Sequence, residues 1–368
     1  MYTNVDVVVI GAGQAGLATA HELRRRGVER FVVLDAGAGP GGAWRERWDS
    51  LTLGRAHGIA DLPGLPMRRP DPSVPASRLV AEYYGAYERR FALPVLRPVR
   101  VRSVESIDDA LVVTAAGGAR WRARVVVNAT GTWTRPFVPH LPGLGEFRGK
   151  VLHTVDYTRA ADFAGARTVV VGGGLSAVQF LLELAEVTGT VWSTRTPPRF
   201  TARPFDLAWG RDVEARVRAD TAAGRAPRPV VENTGIPSLP EYLEGVADGT
   251  LVSRGPLARA TAHGVVFGEP RDVGKRELVV PGSWAPQPGP VDADVIFFNT
   301  GFRPALGHLA PLRLRGPGGG IRMRDEVTPE REPRVLLAGY GSTASTVGAT
   351  RAGRKAGRAA AKLLTRQL

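Results

Sequence analysis

Cysteine is absent from the 368 residues. That removes disulfide scaffolds, thiolate metal sites and any C-x-x-C redox pair, and with them a disulfide reductase. No run approaches the ~20 apolar residues that span a bilayer. Strand residues begin almost at Met1, with neither a basic n-region nor an apolar h-region. These features predict a cytoplasmic protein with no membrane segment. Lysine is scarce, at positions 150, 275, 355 and 362 only, while arginine runs along the whole chain beneath a net charge of +14. With alanine, glycine and proline also abundant, that reads as compositional bias and not as a nucleic-acid patch, although the charge can help steer anionic cofactors. Solenoid-like repeats and low-complexity tracts are missing too. The length suffices for two domains with ordinary cores.

What is present begins at once. The apolar run Val7–Ile10 reads as a buried strand, breaks into Gly11-Ala-Gly13-Gln14-Ala15-Gly16, and passes into a helical pattern through Leu23. Gly11 makes the tight turn, Gly13 lets a pyrophosphate approach the backbone, and Gly16 lets helix and strand pack closely. The helix N-terminus offers unpaired N–H groups and a positive dipole end. A second strand, Phe31–Leu34, ends at Asp35, close to the ~20-residue offset of the carboxylate that holds a ribose hydroxyl. The glycine-rich loop 37–42 follows, flanked by Trp44 and Trp48. It suits a backbone held flat against a planar ring, or else a surface loop whose tryptophans fold into the core.

Residues 77–92 carry the pattern of an amphipathic helix, and strands are expected near 99–104, 110–115 and 122–128, the last ending in Ala129-Thr130-Gly131. The opening theme then repeats. Strand 166–171 meets Gly172-Gly-Gly174-Leu175-Ser176-Ala177, a helix covers 178–185, and the next strand ends in Ser193-Thr194-Arg195. The third position needs only a small residue, so Ala177 serves. An acid closes the first copy and an arginine the second. The first therefore suits a dinucleotide with a free ribose, and the second NADPH, because an arginine accommodates a 2′-phosphate that a carboxylate would repel. Helices are expected at 212–223 and 239–246 within a proline-broken segment, 200–250, that could form a lid or substrate wall. Strand 291–299 leads into Asn299-Thr300-Gly301, an echo of the first x-T-G turn. Strand 334–338 meets Gly339-Tyr-Gly341-Ser-Thr-Ala-Ser345-Thr346 and a final helix, another N-terminus able to face an anion.

Taken together the chain resembles the flavin-containing monooxygenases, including soluble YUCCA-like flavoproteins, over essentially its whole length. The resemblance rests on both fingerprints, the Gly41-Gly42-x-Trp44 loop, both x-T-G turns and the linker Phe147-x-Gly149-x-x-x-His153-x-x-x-Tyr157. Two positions depart from the family: Thr158 after the aromatic, and no asparagine around Gly54–His57. The fold it implies is α/β with two Rossmann-like dinucleotide-binding domains. A discontinuous FAD domain covers 1–160 and 302–368, and an NADPH domain, 161–301, is inserted in it. The function it implies is oxygenation of an amine or sulfide by FAD, NADPH and O2 through a C4a-hydroperoxyflavin. A Baeyer–Villiger enzyme on a ketone, in which tryptophan stands where Tyr157 does, and a non-oxygenating NADPH–flavin reductase or oxidase are the alternatives. A non-enzymatic flavin-binding protein is a more distant one. The implied cofactor contacts are Gly11, Gly13, Gln14, Ala15, Gly16, Asp35, Ala36, Gly42, Trp44, Arg45, Trp48, Val101, Thr130 and Gly131 for one dinucleotide. Gly172, Gly174, Leu175, Ser176, Ala177, Ser193, Thr194 and Arg195 serve the other, with Thr300, Gly301, Gly341, Ser345 and Thr346 at the later turns. His57 and Asn299 are the candidate catalytic groups, His153 a structural one, and no metal is expected.

Overall fold

A computed structural model describes residues 1–56, 59–68, 71–202, 207–227, 235–270, 278–345 and 348–365, and the side chains of all of these except 207–211. The chain divides into two compact units. One comprises 1–134, 212–227 and 304–368, the other 135–211 and 228–303.

In the first unit, β1 (Thr3–Ile10) is followed by helix α1 (Gln14–Arg25) and β2 (Phe31–Leu34), which lies parallel beside β1 with Val7 opposite Phe31. Helix α2 (Ala76–Arg90) leads to the short β3 (Val95–Leu96), which extends the sheet beyond β2. The meander β4 (Val101–Ile107), β5 (Ala110–Ala115) and β6 (Arg120–Asn128) follows. The strand β6 serves two partners along its length. Its N-terminal half pairs antiparallel with β5, and its C-terminal half pairs parallel with Val335–Leu337. Its other edge runs parallel along β1 from Thr3↔Trp121 to Ile10↔Asn128. The continuous apolar ends of β1, β2 and β6 are buried, as expected of parallel strands covered on both faces.

One face of this sheet is covered by α1 packed on the C-terminal helix Gly348–Thr365. That contact is close because small residues line it. Thr19 Oγ1 donates to the Gly353 carbonyl at 3.1 Å, and a Cβ on Gly353 would overlap the Ala15 carbonyl oxygen. Gly16 is just as confined, since a Cβ there would overlap the Gly11 carbonyl oxygen. Gly16→Ala should therefore destabilise the first unit at the upper end of the ~1–3 kcal/mol typical of overpacking. Thermal unfolding of the apoprotein measures it, and an unchanged midpoint would mean that the fingerprint glycine is replaceable.

The second unit is built on a four-stranded parallel sheet. Its order is β7 (Lys150–His153), Val295–Phe298, β8 (Thr168–Val171) and β9 (Thr190–Ser193), with helix α3 (Leu175–Ala185) between β8 and β9. A small antiparallel sheet, Leu257–Thr261, Gly264–Phe267 and Gly289–Asp292, adjoins it. Both units therefore have the mixed α/β, parallel-sheet form expected.

Three expectations shift. The stretch 135–160 groups with the second unit, because β7 forms an edge of that unit's sheet. The single strand expected at 291–299 is two, since the chain turns at Ala293-Asp294, where Ala293 N–H donates to His263 O and Asp294 N–H to Arg167 O. The segment 200–250 is not one body either. Residues 212–227 belong to the first unit, where the Arg351 guanidinium holds Glu214 at 2.9 Å and Met323 N–H donates to the Thr221 carbonyl. Its helices span Leu207–Ala222 and Pro240–Ala247.

Candidate functional site

At the first fingerprint the strand turns at Gly11, in the left-handed region with φ 101°, and its N–H donates to the Leu34 carbonyl. A Cβ on Gly11 would stand 2.5 Å from the Ala129 carbonyl oxygen. Nothing stands within 4 Å of a Cβ built on Gly13, the N-cap of α1, and no acid occupies that helix's first turn. A Cβ on Gly42 would come 2.9 Å from the Gly13 Cα, so the glycine-rich loop lies against the fingerprint backbone. Bare backbone, open space and the N-terminus of α1 together form a cradle for an anion, and they fit a pyrophosphate.

Asp35 carries more than one load. Its carboxylate accepts from Ala12 N–H at 2.6 Å, from Gly37 N–H at 2.9 Å and from Arg97 Nε at 3.2 Å. Arg97 in turn clasps Glu88 with both terminal nitrogens, at 2.6 and 2.7 Å. The acid thus pins both glycine loops while standing where a ribose hydroxyl would be read. Ala36 adjoins it, and the Asp35 carbonyl accepts from Val99 N–H. Gln14 reaches the other way, donating to Thr350 Oγ1 at 2.9 Å, and Ala15 is buried beneath the C-terminal helix. Both side chains therefore meet the C-terminal helix. The Val101 side chain packs on the opposite core, and the Arg45 guanidinium lies alongside Gly39.

The second unit repeats the wiring. Gly172, at φ 145°, donates to the Ser193 carbonyl, and a Cβ on it would overlap the Asn299 carbonyl oxygen. Gly174 caps α3, whose first turn, Leu175-Ser176-Ala177, contains no acid. Only Thr194 Cγ2, at 3.7 Å, approaches a Cβ built on Gly173. The hydroxyls at the end of β9 are engaged: Ser193 donates to Gly255 O at 2.9 Å, and Thr194 Oγ1 lies 2.8 Å from Ser253 Oγ. Arg195 follows them, exposed. This second cradle fits a dinucleotide phosphate as the first does, with a cation at the strand end in place of the acid.

The two x-T-G turns have the same place in each unit. Ala129 N–H donates to Ile10 O and Asn299 N–H to Val171 O, so each turn crosses the first glycine of its fingerprint. Their threonines are pins: Thr130 Oγ1 donates to Ala305 O at 2.7 Å and Thr300 Oγ1 to Phe137 O. Gly131 and Gly301 both have positive φ, with nothing within 4 Å of a built Cβ. As a catalytic candidate Asn299 needs correcting. Its buried amide accepts from Thr154 Oγ1 at 2.8 Å and donates to Phe297 O at 3.3 Å, so both ends are occupied in holding the turn. His57 and Thr346 lie outside the described residues. Ser345 caps the C-terminal helix through its hydroxyl, 2.8 Å from Gly348 N, and a Cβ on Gly341 would press on Thr221 Cγ2 at 2.8 Å.

The linker signature is a set of packing contacts. Phe147 is buried, and a Cβ on Gly149 would overlap the Asp294 carbonyl oxygen. Tyr157 sits in an aromatic cluster with Phe163, Phe180 and Phe297 and donates to Glu183 Oε1 at 2.7 Å. His153 lies 3.1 Å from Gly301 O through Nε2 and edge-on to Phe302. Burial holds its pKa below the usual histidine value, so the neutral ring donates to that carbonyl. Sequence reasoning missed His308, whose Nε2 lies 2.7 Å from Asn128 Oδ1 and whose pKa burial pushes down to about 4. No motif marks it; only the fold brings it beside the first x-T-G turn.

Pyridine nucleotide-disulphide oxidoreductase is the family description that matches, over residues 8–206. The chain is 33% identical over 184 residues to an uncharacterized CzcO-like oxidoreductase of Geobacillus kaustophilus, covering 50% of this chain and 52% of that one. It is 34% identical to the indole-3-pyruvate monooxygenase YUCCA4 of Oryza sativa subsp. japonica, over 49% of this chain and 45% of that one. It thus spans about half the length of the curated relatives it matches. Among solved structures it resembles a flavin-containing monooxygenase from Stenotrophomonas maltophilia, at 36% identity and a TM-score of 0.78, with each chain covered in full.

Proposed function

The chain belongs to the flavin-containing monooxygenases of the pyridine nucleotide-disulphide oxidoreductase family, and from that premise we propose that it uses FAD, NADPH and O2 to oxygenate an amine nitrogen or sulfide sulfur of a small molecule. The observation that carries the proposal is the pair of bare glycine cradles at helix N-termini. An acid closes the strand beside one, and an arginine closes it beside the other. FAD belongs in the first and NADPH in the second. The disulfide half of the family name has no counterpart, since the chain holds no cysteine.

When bound, the flavin supplies hydride acceptance and oxygen activation, and the protein's work is to bind, orient and exclude water. The N–H groups of α1 and the backbone at Gly13 and Gly42 would hold the FAD pyrophosphate, with Asp35 against the adenosine ribose. The α3 N-terminus and Arg195 would hold the NADPH phosphates. Thr130, Thr300, Asn299 and His153 position the two turns. A neutral, buried His153 with Nε2 committed to a carbonyl is a fixed donor and not a proton relay. Among the described residues no helix is long and apolar enough to cross a membrane.

The test pairs NADPH oxidation and O2 uptake with product analysis, using a tertiary amine, a thioether and a cyclic ketone, each corrected for peroxide. N-oxide or sulfoxide formation coupled to NADPH is expected. Lactone as the only product would identify a Baeyer–Villiger enzyme, and O2 recovered entirely as peroxide would identify an oxidase.

A further inference from the structure

In the first unit a cation sits where, among the described residues, no anion answers it. The Arg47 guanidinium carbon lies 4.0 Å from the ring centre of Trp133, 5.6 Å from that of Trp44 and 5.9 Å from that of Trp48. Three indoles around one guanidinium form an aromatic cage. Its Nε is shut off from solvent and has no hydrogen-bond partner. Among the described residues no carboxylate pairs with it, whereas Arg97 and Arg334 are clasped by glutamates at 2.6 and 2.8 Å. The residue as a whole is half-buried. Burial without a compensating charge brings the guanidinium's pKa down to about 10, which still leaves it cationic at neutral pH.

A desolvated charge is costly unless something repays it. Indole faces repay part of the cost, but they satisfy none of the in-plane N–H donors, and these form a rigid fork shaped for a planar or tetrahedral oxyanion. The loop that carries Arg47 also brings Gly42 against Gly13. We propose that Arg47, held by Trp44, Trp48 and Trp133, is a binding site for an oxyanion, filled by the carboxylate of an organic acid substrate. The substrate class thus narrows from a soft nucleophile to one that carries an acid group. That narrowing rests on the monooxygenase reading; the anion site itself does not.

The test is isothermal titration of the FAD-loaded protein with 3-(methylthio)propanoate and with its uncharged amide, for the native chain, Arg47→Gln and Arg47→Lys. The native protein should bind the acid about tenfold or more tightly than the amide, and Arg47→Gln should abolish that preference, on the scale of a lost charge-assisted bond. Arg47→Lys, which keeps the charge and loses the fork, should fall between and guards against a variant that does not fold. In parallel, FAD is titrated into deflavinated protein. If Arg47→Gln weakens FAD about tenfold and leaves the acid unaffected, the oxyanion is a cofactor phosphate, and the assignment to a substrate carboxylate is overturned. If neither ligand responds to Arg47→Gln, there is no anion site. None of these readouts needs turnover, so failure to oxygenate would sink the proposed function and leave the anion site standing.

Discussion

Gly13→Val is expected to abolish FAD binding while leaving the apoprotein folded. The built Cβ at residue 13 meets nothing within 4 Å, and the backbone there, at φ −79° and ψ −169°, lies in the extended region that valine prefers. The folded chain therefore pays little for the larger side chain. The space it fills is the one over the α1 N-terminus where a pyrophosphate must approach the N–H groups closely. A loss of at least about a hundredfold in FAD affinity, about 2.8 kcal/mol, should follow. Flavin titration into deflavinated protein measures it, with circular dichroism melting as the control. Undiminished FAD affinity would mean that the pyrophosphate does not lie over residue 13. The contrast with Gly16→Ala is the informative part. Three residues along the same motif, the added carbon collides with the Gly11 carbonyl, and the damage should appear in the melt itself. That outcome would assign one glycine to the ligand and the other to the fold.

The packing half of that division, Gly16 against Gly11, is legible in the residues themselves. The burial of Val7–Ile10, the parallel sheets and the second fingerprint follow from apolar runs meeting glycine clusters, a local pattern with a local cause. What escaped depends on partners distant in sequence. Asn299 reads as a catalytic candidate and Thr300 as a cofactor contact because they lie in an x-T-G turn, yet their side chains are committed to Thr154, Phe297 and Phe137. Asp35 reads as a ribose acid from its place at the strand end, but its grip on Ala12, Gly37 and Arg97 is hidden, because Arg97 stands 62 residues further along the chain. The break at Ala293-Asp294 was hidden inside a run that reads as one strand. At that turn Asp294 N–H donates to Arg167 O, and the Arg167 guanidinium reaches both Asp292 and Asp294 at 2.9 Å. No sequence motif marks Arg47; only the fold places it 4.0 Å from the ring centre of Trp133.

Arg195→Ala should raise the KM for NADPH by roughly ten- to a hundredfold and leave that for NADH nearly unchanged. The size is that of one charge-assisted contact to a phosphate, on the order of 1.5–3 kcal/mol. The structure sharpens the reason to look at this residue. Ser193 and Thr194 come first at the end of β9, but both hydroxyls are held by the segment around Ser253 and Gly255. A 2′-phosphate arriving there would find the exposed guanidinium of Arg195 as the cation at the strand end, with no acid at that strand end to repel it. Exposure has a second consequence. A solvent-accessible pair is screened, so the preference for NADPH over NADH should shrink between low and high salt in the native protein and stay flat in the variant. Steady-state kinetics with both nucleotides at two ionic strengths tests both parts. Equal rises in KM for the two nucleotides would mean that Arg195 supports the binding site without reading the phosphate, and the second cradle would then owe its specificity to another cation.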